Sequence, residues 1–141
     1  MRFAAVLALA AVASLSGCGD KKPAANGEDP RYEGLETAIR GWRLDIVKND
    51  LSCHRIVGDK GCSEFEVACK SERTIAPAER AQGVTAKVVA GMRWLAWDAR
   101  SGAQRPVAQF AQFTHTGGAW SRSGRLNGNL ATCETYGAAP I

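Results

Sequence analysis

Cys53, Cys62, Cys69 and Cys133 are the side chains with the widest chemical range, since a cysteine can ligate a metal, exchange disulfides or cross-link the chain. Spacing decides among these roles. The pattern Cys53-x8-Cys62-x6-Cys69 lacks the Cys-x2-Cys unit that gives structural zinc sites their paired ligands, even with His54 or His115 added. A Cys-x-x-Cys redox pair and a Cys-x-x-Cys-His haem attachment motif are absent as well. Glu64 and Glu66 stand two residues apart and project to one side of an extended chain, as a carboxylate pair for acid/base work would. Nothing beside them in sequence supports that chemistry, so they read as a solvated strand face. The chain holds no Gly-x-Ser-x-Gly, no His-Glu-x-x-His and no phosphate-cradling Gly-rich loop. No catalytic residue, metal ligand or cofactor site is therefore assigned.

Charge is the stronger signal. Between Arg73 and Arg125 eight basic residues face two acids, Glu79 and Asp98, whereas Cys18 to Glu72 carries nine basic residues and eleven acidic ones. Arginine and tryptophan alternate closely in the basic half, at Arg93-Trp94, at Trp97 with Arg100, and at Trp120 with Arg122. Such a surface suits an anionic partner with some apolar or sugar character, and Lys87, Arg93, Trp97, Arg105 and Arg122 are the candidate binding residues. A polynucleotide would satisfy the same electrostatics. What argues against nucleic acid is the compartment, which is written at the N-terminus.

Arg2, the apolar run from Phe3 to Val12 and small residues up to Cys18 have the layout of an export signal, with an apolar stretch too short to span a bilayer permanently. Leu15-Ser16-Gly17-Cys18 resembles the lipobox of bacterial lipoproteins. The resemblance covers about the first 18 residues and implies that residues 1–17 are a cleaved signal peptide and that Cys18 is the lipidated new N-terminus. Two or three acyl chains at about 0.8 kcal/mol per buried methylene would make the attachment to the membrane effectively permanent. An Asp directly after the cysteine retains many such proteins in the inner membrane. Gly19 stands there instead, so the resemblance implies a cell-envelope protein anchored in the outer membrane and facing the periplasm.

An even number of remaining cysteines in an exported chain reads as two disulfides. Of three possible pairings, Cys53 with Cys62 closes a short loop over Gly58-Asp59-Lys60-Gly61, and Cys69 with Cys133 ties the C-terminal tail to the sheet. Loop entropy assigns the short closure about 3 kcal/mol and the long one a little over 4 kcal/mol.

The elements that must carry these residues follow in order. Residues 18–28, with Asp20, Lys21, Lys22, Pro23, Asn26 and Gly27, have the composition of a flexible tether, and residues 29–141 make a single domain. Asp29-Pro30 opens a helix, and Leu35, Ile39, Trp42 and Ile46 form its apolar stripe to an end near Asn49-Asp50. Gly34 and Gly41 within it suggest a close neighbour. Glu64 to Lys70 alternates as a strand with Phe65, Val67 and Cys69 on one face. Pro77 to Gln82, closed by Gly83, reads as a single helical turn or a loop. Val84 to Asp98 is the longest strand, its even positions apolar and facing the helix, Lys87, Arg93 and Trp97 facing out, and Gly91 marking a bulge or bend. Arg105 to His115 is a strand whose Phe110 and Phe113 fall on opposite faces. Gly117-Gly118 signals a hairpin to Ala119–Ser123, Asn127-Gly128 another turn, and Leu130 to Tyr136 a last strand. The sum is an α+β domain, one N-terminal amphipathic helix on an antiparallel meander of four or five strands. By analogy of layout only, this resembles cystatin-like and NTF2-like domains.

Two functions of different kinds fit. One is a non-catalytic, lipid-anchored binding module whose basic face engages an anionic envelope polymer or lipid. The other is an accessory lipoprotein that docks on an envelope protein machine or inhibits an exported enzyme.

Overall fold

The computed structural model describes residues 29–54, 61–98 and 100–138. The signal segment, Cys18 and the tether lie outside these, as do Gly58 to Lys60 of the expected turn and the side chain of His54.

Asp29 caps a short 3-10 turn, Pro30–Tyr32, rather than the main helix, its carboxylate accepting from the Arg31 amide. Helix α1 spans Leu35–Asn49 and starts one step later because Gly34 takes a left-handed φ of 80° as its N-cap. A side chain there would be strained, and its Cβ would meet the Trp120 ring at 3.6 Å, while the Trp120 indole donates to the Glu33 carbonyl at 2.8 Å. Gly41 differs from expectation: it is exposed and open space surrounds it. A one-turn helix α2, Leu51–His54, follows α1 directly.

Five strands make one antiparallel sheet in sequential order: β1 Ser63–Glu72, β2 Val84–Trp97, β3 Gln104–Thr116, β4 Ala119–Gly128 and β5 Thr135–Ala138. Helix α3, Pro77–Ala81, links β1 to β2. The expected stripe of α1, Leu35, Ile39, Trp42 and Ile46, is buried against Val88, Ala90, Met92, Trp94 and Ala96 of β2 and Ala111 and Phe113 of β3. Trp42 meets Phe113 edge to face at 5.8 Å, and Phe65 stacks on Trp94 at 5.6 Å. The helix thus lies on one face of the sheet, and apolar burial holds the two layers together.

The opposite face has a smaller core of its own, built from Val89, Phe110 and Cys133 with Cys69, Leu126 and Leu130 packed on it. Phe110 and Phe113 break the alternation of β3 because both of its faces are covered. Cys69 belongs to this second core and not, as strict alternation predicts, to the face of Phe65 and Val67. A register shift between Val67 and Cys69 inserts one extra residue in β1, which turns Cys69 to the other side. The bulge is therefore in β1 and not at Gly91, whose pairing with β3 is regular. Gly91 makes room: a Cβ there would lie 2.7 Å from Phe110 and 2.9 Å from the Cys69 sulfur. Gly128 makes room for the same ring, since a Cβ there would lie 2.8 Å from it; Asn127-Gly128 ends β4 and the turn comes later. The Asn129 carbonyl accepts there from Thr132 and Cys133.

Disulfides join Cys53 to Cys62 and Cys69 to Cys133. The first holds α2 to the start of β1 in the helix-side core; the second pins the segment before β5 onto the far face.

Candidate functional site

The two faces of the sheet separate the candidate binding residues. Lys87 and Arg93 project from β2 away from α1, whereas Arg105 stands opposite buried Ala96, and Arg122 opposite buried Phe113, on the helix side. No single basic face collects them. Each also has a carboxylate of its own: Lys87 with Glu79 at 2.5 Å, Arg93 with Glu66 at 2.5 Å, Arg122 with Asp45 at 2.9 Å and Arg105 with Asp98 at 3.8 Å. Lys87 differs most from expectation, its side chain only 13% exposed beneath α3. These pairs tie one element of the fold to another.

Glu66 is thereby committed to Arg93, and Glu64 sits at a register shift of β1 with a φ of 54°. His115 is remote from both. It pairs with Ala86 while Glu66 pairs with Arg93, seven residues further along β2 and so roughly 23 Å away along the strand. Its Nδ1 lies 2.7 Å from the Thr85 hydroxyl and its ring 4.9 Å from Trp120. Among the described residues no group of three or more His, Cys, Asp or Glu side chains is placed to hold a metal ion.

The site that does form lies where α1 ends over the sheet. Two adjoining cavities, about 460 Å³ and 630 Å³, share Asp50, Leu51, Gln109 and Arg125 and make one open cleft. The first continues to Trp42, Ile46, Asp45 and Arg122, the second to Trp97, Asp98, Arg100 and Arg105. Three ion pairs thus run along it, Arg122 with Asp45, Arg125 with Asp50 at 2.7 Å, and Arg105 with Asp98. Arg100 makes the cationic groups outnumber the acidic ones. Of the candidate binding residues, Trp97, Arg105 and Arg122 are in this cleft.

Asp50 is its centre. It ends α1 with an extended backbone, φ −78° and ψ 127°, and then caps α2, its Oδ1 accepting from the Ser52 amide at 2.9 Å and its carbonyl from the Cys53 amide at 2.9 Å. Gln109 of β3 and Arg125 of β4 donate to the other oxygen. The side chain is 12% exposed. Burial by itself would raise its pKa, but the hydrogen bonds from Ser52, the charge of Arg125 and the Gln109 amide outweigh that and hold the carboxyl below its ordinary value. Asp50 is therefore an anion at neutral pH whose partners draw one end of α1, β3 and β4 together. Ser52 also accepts from the Trp94 indole at 3.3 Å, and the adjacent Cys53 is fixed by its disulfide, so this wall is held at several points. At the far end Asp98 accepts from the Arg100 and Ser101 amides at 2.9 and 3.0 Å; these backbone bonds lower its pKa, and they shape the β2–β3 turn that presents Arg100 and Arg105.

Asp50, Gln109 and Arg125 are cleft residues that sequence reading does not single out, and Arg100 stands out there only beside Trp97. Asp50 reads only as a helix end; its partners arrive through β3 and β4, some sixty to seventy-five positions away.

No family model matches the chain, and neither the curated proteins nor the solved structures contain a match to it.

Proposed function

We propose that the chain is a lipid-anchored envelope protein whose domain binds an anionic envelope component, without catalysis, in the cleft around Asp50. The N-terminal resemblance to bacterial lipoproteins supports the address: outer membrane, periplasmic side, attached through Cys18. The layout, which resembles cystatin-like and NTF2-like domains, supports the place, because a helix laid across a sheet leaves one open end. The observation that carries the reading is the set of four arginines, Arg100, Arg105, Arg122 and Arg125, along one cleft with apolar patches from Trp42, Ile46, Leu51 and Val107 between them. Arginine forks suit carboxylates and phosphates, and the amides of Gln109 and Asn127 add donors for a polar ligand. Arg125 is half exposed, so its fork can face the cleft while Asp50 keeps its bonds to Ser52 and Gln109.

The test is cosedimentation of the full chain in mild detergent with cell-wall sacculi, and flotation with vesicles of envelope lipids, each at low salt and at 0.15 M, where the screening length is about 8 Å. Binding to either at the higher salt, lost in Arg105→Gln and Arg125→Gln but kept in Arg93→Gln, is the expected result. Equal loss in all three variants, or no binding at all, contradicts it.

A further inference from the structure

The outer face of α1 carries an apolar surface that packing leaves uncovered. Leu44 is 63% exposed, Val47 46% and Leu51, at the start of α2, 79%. Leu44 and Val47 lie on the side of the helix turned away from Leu35, Ile39, Trp42 and Ile46. The charges around them are mostly cationic, Arg40, Arg43 and Lys48 against Asp45. Leu51 joins this stripe to the cleft, since it also lines both cavities beside Arg125.

We infer that the stripe and the cleft together form one interfacial site for an anionic phospholipid of the bilayer in which the chain is anchored: Leu44, Val47 and Leu51 enter the acyl boundary while Arg105 and Arg125 take the headgroup phosphate. This rests on the binding reading above and names its ligand class. Two features single out the bilayer as the occupant. The first is charge complementarity, because a band of leucine and valine edged by arginine and lysine matches the layered chemistry of an anionic leaflet. The second is reach: the eleven residues from Cys18 to Glu28 span at most about 40 Å even when fully extended, so a domain tethered at Cys18 is always within about one domain diameter of the lipid surface. An arginine near an anionic surface contributes about 1 kcal/mol, roughly fivefold in binding, so two of them give a preference of order tenfold or more for charged over neutral lipid.

The test reconstitutes the full chain in phosphatidylcholine vesicles with or without phosphatidylglycerol, with a photoreactive benzophenone side chain in place of Leu51 or, as control, of exposed Gln82 after α3. Cross-linked lipid is identified by mass. The expected result is cross-linking from position 51 to phosphatidylglycerol at least tenfold above phosphatidylcholine, none from position 82, and loss of the preference in Arg105→Gln/Arg125→Gln. Leu44→Ser/Val47→Ser, on the exposed face where folding is not at stake, should lower cross-linking to both lipids. Equal cross-linking to the two lipids overturns the headgroup assignment. Cross-linking to protein, or none at position 51, overturns the bilayer assignment. Soluble glycerol phosphate separates the sources: if it abolishes the cross-link at concentrations equal to the vesicle headgroups, the cleft takes a free phosphate and the lipid assignment fails. Failure here with salt-resistant sacculus binding intact leaves the cleft reading standing; failure of both removes it.

Discussion

Replacing Asp50 separates its two roles, because asparagine keeps the cap to Ser52 through its one carbonyl oxygen but turns an amide donor toward Gln109 and Arg125, losing the charge and both of those bonds. Asp50→Ala removes the cap to Ser52, worth about 1 kcal/mol, and the bond from Gln109, worth about another 1 kcal/mol, together with an ion pair to half-exposed Arg125 that screening reduces to about 0.5 kcal/mol. The expected loss is about 2–3 kcal/mol. Asp50→Asn should lose about 1–2 kcal/mol, since the cap survives while the Gln109 bond and the ion pair do not. The pH dependence has a definite sign. The folded carboxyl titrates below its ordinary value of 3.8, so its stabilisation is complete at neutral pH and disappears as pH falls through the folded value. Urea unfolding of the oxidised protein, followed by tryptophan fluorescence at pH 7 and again in the acid range, reads both effects. The gap between wild type and Asp50→Asn should be present at pH 7 and close in acid. A gap unchanged down to the acid limit, or alanine and asparagine variants of equal stability at pH 7, would refute the account of this corner.

Further outcomes follow from the two cores. Opening the long disulfide by Cys69→Ala/Cys133→Ala should cost about 4 kcal/mol and the short one by Cys53→Ala/Cys62→Ala about 3 kcal/mol, measured as shifts in urea midpoint at constant slope. Gly91→Ala should destabilise by about 1–3 kcal/mol, because its methyl group must displace the Phe110 ring and the Cys69 sulfur; Gly41→Ala, in open space on α1, should stabilise by up to about 1 kcal/mol. Trp42→Ala should cost about 3–5 kcal/mol and remove one wall of the cleft. Arg93→Ala should change stability by less than about 1 kcal/mol, both members of its pair with Glu66 being exposed.

The sheet and helix were legible because the period of apolar residues reports burial on one face. Leu35, Ile39, Trp42 and Ile46 on α1, and the even positions of β2, point to the same core in sequence and in space. The reading failed where both faces of the sheet are covered. Cys69 continues an alternating run, and only the extra residue in β1 turns it away from Val67. Asn127-Gly128 has turn composition, yet Gly128 lies in β4, where a Cβ would meet both the Phe110 ring and the Glu134 carbonyl. The disulfides were legible through their even count and spacing.

The cleft was legible only in fragments. Trp97, Arg105 and Arg122 stand out as part of a basic, tryptophan-bearing half, but so do Lys87 and Arg93, which pair with Glu79 and Glu66 on the face away from α1; Trp97 shares that face and lines the cleft from the end of β2. Side-chain facing depends on strand register and bulges, and charge pairing depends on which elements meet. Neither is local. Asp50 had the weakest signal of all, since a residue that ends one helix and caps the next looks like any other chain break until Gln109 and Arg125 are folded onto it.

The most direct test of the cleft as the binding site is salt-resistant binding to sacculi or envelope-lipid vesicles, compared between wild type and Arg105→Gln/Arg125→Gln at 0.15 M salt. Binding lost in the double variant, with an unfolding midpoint close to wild type and with Arg93→Gln unaffected, is the predicted result. Undiminished binding by the double variant would contradict the account.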